Sequence, residues 1–363
     1  MQAGPVEDPV LTKLAEPEEL RRQPGLEDEW QRIQKLAGSK GVSLGKYFEE
    51  LMRFGARYGA SAVPYMQALL SNPDWQIRAA VLRALGATGT AEAQAILKKT
   101  IRPDAVLEDA AQATLTLGEM GDPTITAWLR EKWQSVPEGD LKRCLLDTLA
   151  SRPYAQTADF FPTLLKSSSL DSEAKASVLS NLGFHQEAPL SLLTPFLGSK
   201  DEALRGGAYD ALACRPEARL GSQLISLSAH ENDASLRQKA YEAAGHQLDT
   251  TPLEMAAVVA GESDPAARLR AERAWGMTVG RTDNQEDRRR FDTEAVPRLV
   301  TEALKNPDPG EQRAALQALA MARTAGSRSG LEKIAQETTS PQLSKLAAAM
   351  AKGGEKRDLK GKK

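Results

Sequence analysis

The stretch DWQIRAAVLRALGATGT, residues 74–90, decides the fold because close relatives of it recur about every 32 residues along the chain. Its apolar residues, among them Ile77, Val81 and Ala84, are three or four positions apart, so they share one face of a helix. An acidic residue precedes this helix and Gly86 closes it. The stretch therefore predicts a capped amphipathic helix that ends at a small residue.

The same pattern can be followed through most of the sequence if the leading acid is numbered 0. The acids that head the copies are Asp74, Glu138, Asp171, Asp201, Asp233, Asp264 and Asp308. The small residues at position +12 or its equivalent fall at 86, 118, 150, 183, 213, 245, 276 and 320. In the copy that ends at Gly118, Val106 replaces the acid. Gly55 extends the row upstream and the segment from Ser340 extends it downstream, which gives about ten units.

Each position of the pattern has a physical reason. The acid predicts an N-cap, and the basic residue at +4 lies one helical turn away from it. Small residues at +6 and +10 predict close helix packing, and glycine at +12 predicts a left-handed exit from the helix. A second apolar helix follows each first one, so the unit is a helix pair that cannot bury its apolar faces alone. We therefore expect an all-α fold, a right-handed α-solenoid of about nine to ten stacked pairs over residues 27–352.

The motif resembles a known repeat family. The copy at residues 74–90 and the partial copy LEDAAQATLTLGEMGD at 107–122 look like the HEAT-like repeat first associated with phycobilisome lyases. The resemblance covers roughly residues 43–352. It implies an α-solenoid, and since such arrays serve mostly as binding scaffolds, it implies a fold more than an activity.

Three segments interrupt the pattern. Residues 1–26 are polar and rich in proline, which predicts a flexible N-terminal arm, and residues 353–363 predict a basic C-terminal tail. The spacing from Gly276 to Ala320 is longer than elsewhere, which predicts an insertion loop at about residues 278–293. The loop contains three consecutive arginines, which suit a phosphate or an acidic partner: Arg288, Arg289 and Arg290. The alternative is a tolerated surface excursion whose arginines are neutralised by Glu286, Asp287 and Asp292.

Composition narrows the function. The 47 Lys and Arg nearly balance the 49 Asp and Glu, and a net charge of -2 creates no global field for nucleic acid. Cys144 and Cys214 form no disulfide framework or zinc motif. No apolar stretch approaches the roughly 20 residues of a membrane span, so we expect a soluble chain. A cytoplasmic location is favoured, with export as the alternative if the polar opening follows a removed signal peptide.

The sequence gives little support to a catalytic function. Deoxyhypusine hydroxylase, which resembles this repeat in fold, holds two irons with several His-Glu pairs, whereas this chain has three histidines and one such pair, His230 and Glu231. We therefore expect no metal and no cofactor. The runner-up to a scaffold is a lyase-like or isomerase-like enzyme that acts on a bound prosthetic group, as phycobilin lyases do, although no residue marks that activity. Nucleic-acid binding is the third and least favoured reading.

Six of the seven copies that begin with an acid have a basic residue at position +4. They are Arg78, Lys142, Lys175, Arg205, Arg237 and Arg268. Such a row predicts a ladder of ion pairs between repeats, with a track for phosphates as the less favoured alternative.

Positions +8 and +9 are expected to point away from the partner helix, toward a concave face. The residues there that we single out as partner-binding candidates are Tyr209, Asp210, Tyr241, Glu242, Arg83 and Asp147. Tyrosine combines rigid area with a polar group, so an aromatic and acidic strip suits a basic peptide. The alternative is that the tyrosines fill the space between repeats. The sequence thus favours a non-enzymatic scaffold that binds a protein or peptide partner, basic in character, along its concave face.

Overall fold

The computed structural model describes residues 25–37, 44–168 and 170–358, and these residues form helices without any strand. The chain divides into two compact units, residues 1–157 and 158–363. Nearly all of the predicted N-terminal arm, residues 1–24, lies outside the described residues, as do residues 359–363 of the predicted tail. The last helix continues to Asp358, well past the predicted start of that tail.

The first unit contains eight α-helices within its described residues. They are α1 (Leu26–Ala37), α2 (Leu44–Tyr58), α3 (Val63–Ala68), α4 (Trp75–Ala87), α5 (Ala91–Thr100), α6 (Leu107–Glu119), α7 (Thr124–Ser135) and α8 (Asp140–Ser151). The first helices of successive pairs pack on each other in chain order: α2 on α4, α4 on α6, and α6 on α8. This is the packing of an α-solenoid.

The second unit has the same architecture. Its helices are α9 (Phe160–Lys166), α10 (Ser172–Leu182), α11 (Glu202–Ala213), α12 (Gly221–Ser228), α13 (Ala234–His246), α14 (Pro252–Gly261), α15 (Pro265–Val279), α16 (Gln285–Glu294), α17 (Val296–Lys305), α18 (Pro309–Ala322), α19 (Ala325–Glu337) and α20 (Pro341–Asp358). The first helices stack in the order α10, α11, α13, α15 and α18. The α-solenoid fold expected from the repeat is confirmed within each unit.

The leading acids cap the first helices as predicted. The carboxylate of Asp171 accepts a hydrogen bond from the Ala174 amide at 2.7 Å, and that of Asp264 accepts one from Ala267 at 2.8 Å. The same cap is formed by Asp74, Asp201, Asp233 and Asp308. Glu138 differs, because Gly139 takes the capping position there and no side chain bonds to the helix end. Each aspartate thus satisfies a backbone donor that the helix itself leaves unpaired.

The glycines at +12 have a different role from the one predicted. None of them has a positive φ, so the predicted left-handed exit is wrong. A Cβ on Gly183 would lie 2.5 Å from the Ala211 backbone, and one on Gly245 would lie 2.6 Å from the Ala274 Cβ. Glycine is therefore needed here because the next first helix lies against its Cα.

The predicted insertion loop at residues 278–293 is also wrong in part, since most of it is helix α16. Asn284 caps this helix by accepting a bond from the Glu286 amide at 2.9 Å. Phe291 is fully buried and packs edge-on against Trp275, with ring centroids 5.1 Å apart. Trp275 occupies the buried +11 position that is leucine in most other copies. The segment is mostly polar, so its composition does not reveal that the buried Phe291 packs it as a helix against the rest of the unit.

None of the helices within the described ranges is long and apolar enough to cross a membrane.

A glycine substitution tests the close helix approach directly. In Gly207→Ala the new Cβ would lie 2.6 Å from the Ala176 carbonyl oxygen on the neighbouring first helix, and backbone cannot rotate away. We expect a loss of about 1–3 kcal/mol in the free energy of unfolding, measured by urea denaturation. The matched control is Gly261→Ala in α14, where a Cβ meets nothing within 4 Å and alanine is the better helix former. Equal stability of the two variants would refute the packing argument.

Candidate functional site

The two tyrosines of the predicted binding strip lie in the core. Tyr209 is 0% exposed and Tyr241 is 5% exposed, so neither is available to a partner. The strip as predicted is wrong, and the alternative, that the tyrosines fill the space between repeats, describes their position. A helix turns about 100° per residue, so +8 lies about 60° from the buried +11 position, whereas +9 lies about 160° from it. Positions +8 and +9 therefore face in different directions, although they are adjacent in the sequence.

Each buried tyrosine belongs to a triad with an arginine and a glutamate. The Tyr209 hydroxyl donates to Glu231 at 2.8 Å, and Arg205 donates two bonds to the same carboxylate at 2.7 and 2.8 Å. One repeat later, Tyr241 and Arg237 both donate to Glu262, each with a shortest distance of 2.8 Å. Each glutamate lies just beyond the second helix that follows, ahead of the next first helix, so the triads connect one repeat to the next.

The predicted ladder of ion pairs exists, but its acids are mostly not the leading ones. Arg78 pairs with Asp109 at 2.8 Å, and Lys142 alone has the predicted partner, Glu138 at 2.6 Å. The other leading acids are occupied as caps. The arginines at +4 also donate to the loop carbonyl two residues before the cap, as Arg78 does to Asn72 at 2.8 Å. These contacts engage the four arginines of the row within the fold, which argues against a track for phosphates.

The pKa of Glu262 shows how firmly its triad is held. Burial acts to raise this pKa, but bonds from Arg237, from the Asp264 amide and from Tyr241 outweigh burial and lower it to about 2. Glu231 is shifted in the same direction, with burial opposed by Arg205 and Tyr209. Burial first, and then the bond to Glu262, raise the pKa of Tyr241 to about 12. The carboxylates therefore stay charged and the phenols stay neutral across the ordinary pH range.

A pH series tests this triad. Because the pKa of Glu262 is lower in the folded chain than its ordinary 4.5, the carboxylate stabilises the fold above that value and ceases to do so as pH falls toward about 2. We expect Glu262→Gln to destabilise the neutral protein by up to roughly 3 kcal/mol, with the difference from wild type disappearing at the acid end of the series. Urea denaturation across the window measures it. Glu187→Gln, at an exposed position of the same unit, is the control and should change little at any pH.

The outward side of the first helices consists of positions +2, +5, +6 and +9, which we call the first-helix face. In the second unit this face contains a groove of about 500 Å³ across α10, α11 and α13. Its lining residues are Glu173, Ala176, Ser177, Ser180, Glu202, Ala203, Gly206, Gly207, Asp210, Asp233, Ser235, Leu236 and Lys239. We call it the acidic groove.

The acidic groove takes its shape in part from Gly206 and its charge from the helices around it. A Cβ on Gly206 would lie 3.3 Å from the Leu236 side chain and 3.5 Å from the Lys239 ammonium, so glycine leaves room here for these two side chains. Lys239 pairs with Asp210 at 2.6 Å, and both side chains remain about two-fifths exposed. The four carboxylates and one ammonium give the groove a formal charge of -3.

The remaining predicted residues are placed as follows. Asp210 lines the acidic groove, whereas Glu242 pairs with Arg273 at 3.0 Å and with His246 at 3.3 Å. Asp147 is half-buried at the +9 position of α8. Arg83 is 47% exposed and lines a second groove in the first unit. The structure thus keeps the +9 residues on the first-helix face but does not gather all six candidates into one site.

The three arginines of α16 do not form a common site. Arg288 donates to the carbonyl of Thr282 at 3.2 Å and to that of Arg323, and Arg290 pairs with Glu294 at 3.0 Å. Arg289 is exposed. Of the three acids expected to neutralise these arginines, Asp292 instead accepts bonds from Thr324 and from the Gly326 amide. Consecutive helical residues point in different directions, which is why the run of arginines is dispersed.

The single His-Glu pair is engaged elsewhere. Nδ1 of His230 lies 2.8 Å from the Ser226 carbonyl oxygen, and Glu231 belongs to the triad with Arg205. Within the described ranges, no three His, Cys, Asp or Glu side chains come together as a group that could hold a metal ion.

Comparison with known proteins bears on the fold. The family of HEAT repeats matches residues 49–115, which span most of α2 through the middle of α6. Residues 49–115 therefore belong to the family of HEAT repeats. The match does not reach the narrower phycobilisome-lyase group, so that part of the resemblance stays a prediction.

The chain was also compared with curated proteins and with solved structures. No match is found among curated proteins. Among solved structures, this chain is similar to human deoxyhypusine hydroxylase in complex with glycerol, with 14% identity, coverage of 92% of this chain and 99% of that chain, and a TM-score of 0.32.

Proposed function

We propose that this HEAT-repeat protein is a non-enzymatic scaffold that binds a basic segment of a partner protein in the acidic groove. The observation that supports this proposal is the groove itself, an open depression that combines four carboxylates with small uncharged residues, among them Ala203 and Gly206. The proposal keeps the basic partner expected from the sequence and moves its site from the tyrosines to the residues around Gly206.

The charges of the groove are available to a ligand. Glu173 and Glu202 are exposed, and Glu202 lies 4.0 Å from Arg205. Asp233 is also exposed, although one of its oxygens caps α13 by accepting a bond from the Leu236 amide. Like-signed carboxylates on a concave surface raise the local concentration of cations and speed the approach of a basic partner. The groove therefore attracts a basic segment although the whole chain carries almost no net charge.

The shape of the groove suits the side chains of lysine and arginine. Their aliphatic stems can lie on Ala176, Ala203 and Gly206 while the cationic ends reach the surrounding carboxylates. A volume of about 500 Å³ lies within the range that ligand sites usually occupy. Lys239 does not block this use, since its ammonium pairs with Asp210 at one side.

A binding measurement tests the proposal. The probe is a labelled synthetic peptide of Lys, Gly and Ser, with a peptide in which Glu replaces Lys as its counterpart. We expect the basic peptide alone to bind, and Glu173→Gln combined with Glu202→Gln to weaken binding about tenfold, because two attractive charges are lost. The affinity of the wild type should also fall steeply as salt is raised. Fluorescence anisotropy gives these affinities.

The matched control removes the same charge from another part of the unit. Glu187→Gln combined with Glu337→Gln changes two exposed acids that do not line the groove. This control should bind as the wild type does. Equal weakening in both double variants would reduce the effect to net charge and would contradict a specific groove, as would failure of the basic peptide to bind at low salt.

A further inference from the structure

The first unit has a first-helix face of quite different character. Five of the eight large apolar side chains that are exposed within the described ranges lie on its first helices or at their starts: Leu44, Trp75, Val106, Leu107 and Leu115. Three of them occupy the same position, +1, in successive repeats. Leu44, Trp75 and Leu107 are 43%, 52% and 42% exposed. We call these three the apolar row.

A groove lies beside the apolar row, between α2 and α4. It has a volume of about 300 Å³, and Leu44, Phe48, Trp75 and Ala79 supply much of its wall. Arg83 is the one charged residue in its lining, and Gln76 and Gln112 are the uncharged polar ones. Single exposed apolar residues are common on any protein, but a repeated row beside an apolar groove marks a contact surface.

We propose that the apolar row and its groove bind an amphipathic helix of a partner protein, one that presents apolar side chains together with a carboxylate for Arg83. This surface differs from the acidic groove in place and in chemistry, so the inference does not depend on the proposed function.

The spacing of the row fits a helix laid across it. Packed helices lie about 8–10 Å apart, so Leu44, Trp75 and Leu107 repeat at roughly that interval. Residues i and i+7 of a helix are on one face and about 10.5 Å apart. Two or three apolar side chains of one partner helix can therefore reach successive repeats.

The polarity of the groove favours a helix over an extended segment. An extended chain brings unpaired backbone N–H and C=O groups to the surface that it covers, and each needs a partner. The groove offers few polar groups for that purpose, namely Arg83, Gln76 and Gln112. A helix satisfies its own backbone and needs only apolar contacts.

Arg83 determines the charge of the partner. Its guanidinium lies over the Phe48 ring at 5.4 Å, which holds it at the wall of the groove. Its contact with Glu119 is 3.8 Å long, and both side chains are about half exposed or more. Such a pair contributes little, so a partner carboxylate can replace Glu119 without a large loss.

The experiment uses the full chain and a defined probe. The probe is a synthetic helical peptide of about 18 residues, composed of Leu, Ala, Gln and one Glu, with Leu at i, i+3, i+4 and i+7 spacing. We expect it to bind and to shift the emission of Trp75 to shorter wavelength as the indole leaves water. Trp75→Ala should weaken binding about tenfold or more, and Leu107→Ser should weaken it by about threefold. Titration calorimetry measures these affinities, and far-ultraviolet circular dichroism checks that each variant folds.

Controls distinguish binding at this surface from nonspecific hydrophobic binding. Phe184→Ala removes a 70% exposed aromatic residue from the second unit and should leave binding unchanged. A peptide with the same composition in scrambled order should not bind. In Arg83→Gln, the advantage of the Glu peptide over one with Gln in its place should disappear.

Three outcomes would overturn the inference. They are equal binding of the scrambled peptide, equal affinities of Trp75→Ala and wild type, and a dimer of the free protein that Trp75→Ala dissociates. The last result, seen by sedimentation, would assign the apolar row to a second copy of this chain.

Discussion

The closest approach between successive first helices is the constraint on which this structure depends. Wherever a +12 glycine is present, the place of its missing Cβ is already filled by an atom of the next first helix, as Ala274 shows at Gly245. A stack this close fixes which positions of each helix face inward. It buries +8 and +11, and it leaves +2 and +9 at least partly exposed in every copy. The two proposed binding surfaces are a consequence of this packing.

The caps and ion pairs depend on the same stacking of first helices. The leading aspartates satisfy the helix ends, so the basic residues at +4 turn to other acceptors, and in two repeats they meet a buried glutamate and a tyrosine. Because these groups neutralise one another inside the fold, they are not offered to a ligand. What differs from unit to unit is the first-helix face, acidic around Gly206 and apolar around Trp75. One repeat thus presents two faces of different chemistry.

The sequence predicted what is periodic and missed what is not. The repeat period, the caps and the all-helical stack follow from residues that recur, and they are confirmed. The tyrosines were misplaced because +8 and +9 are adjacent in sequence yet point in directions about 100° apart. Helix α16 was taken for a loop because its one buried anchor, Phe291, stands among ten mostly charged or polar residues. The acidic groove depends on acids and glycines brought together from three separate repeats, which no local pattern reveals.

A double-mutant cycle at Gly118 and Thr148 tests the central constraint most directly. The Cβ of Gly118→Ala would strike the Cγ2 methyl of Thr148 on the next first helix, whereas the Thr148 Cβ would lie 3.7 Å away, so Thr148→Ser removes the atom that is struck first. The account predicts that the double variant loses less stability than the sum of the single variants, with a coupling of about 1 kcal/mol or more in the free energy of unfolding. Strict additivity of the two losses would contradict it, because the helices would then not meet at this point.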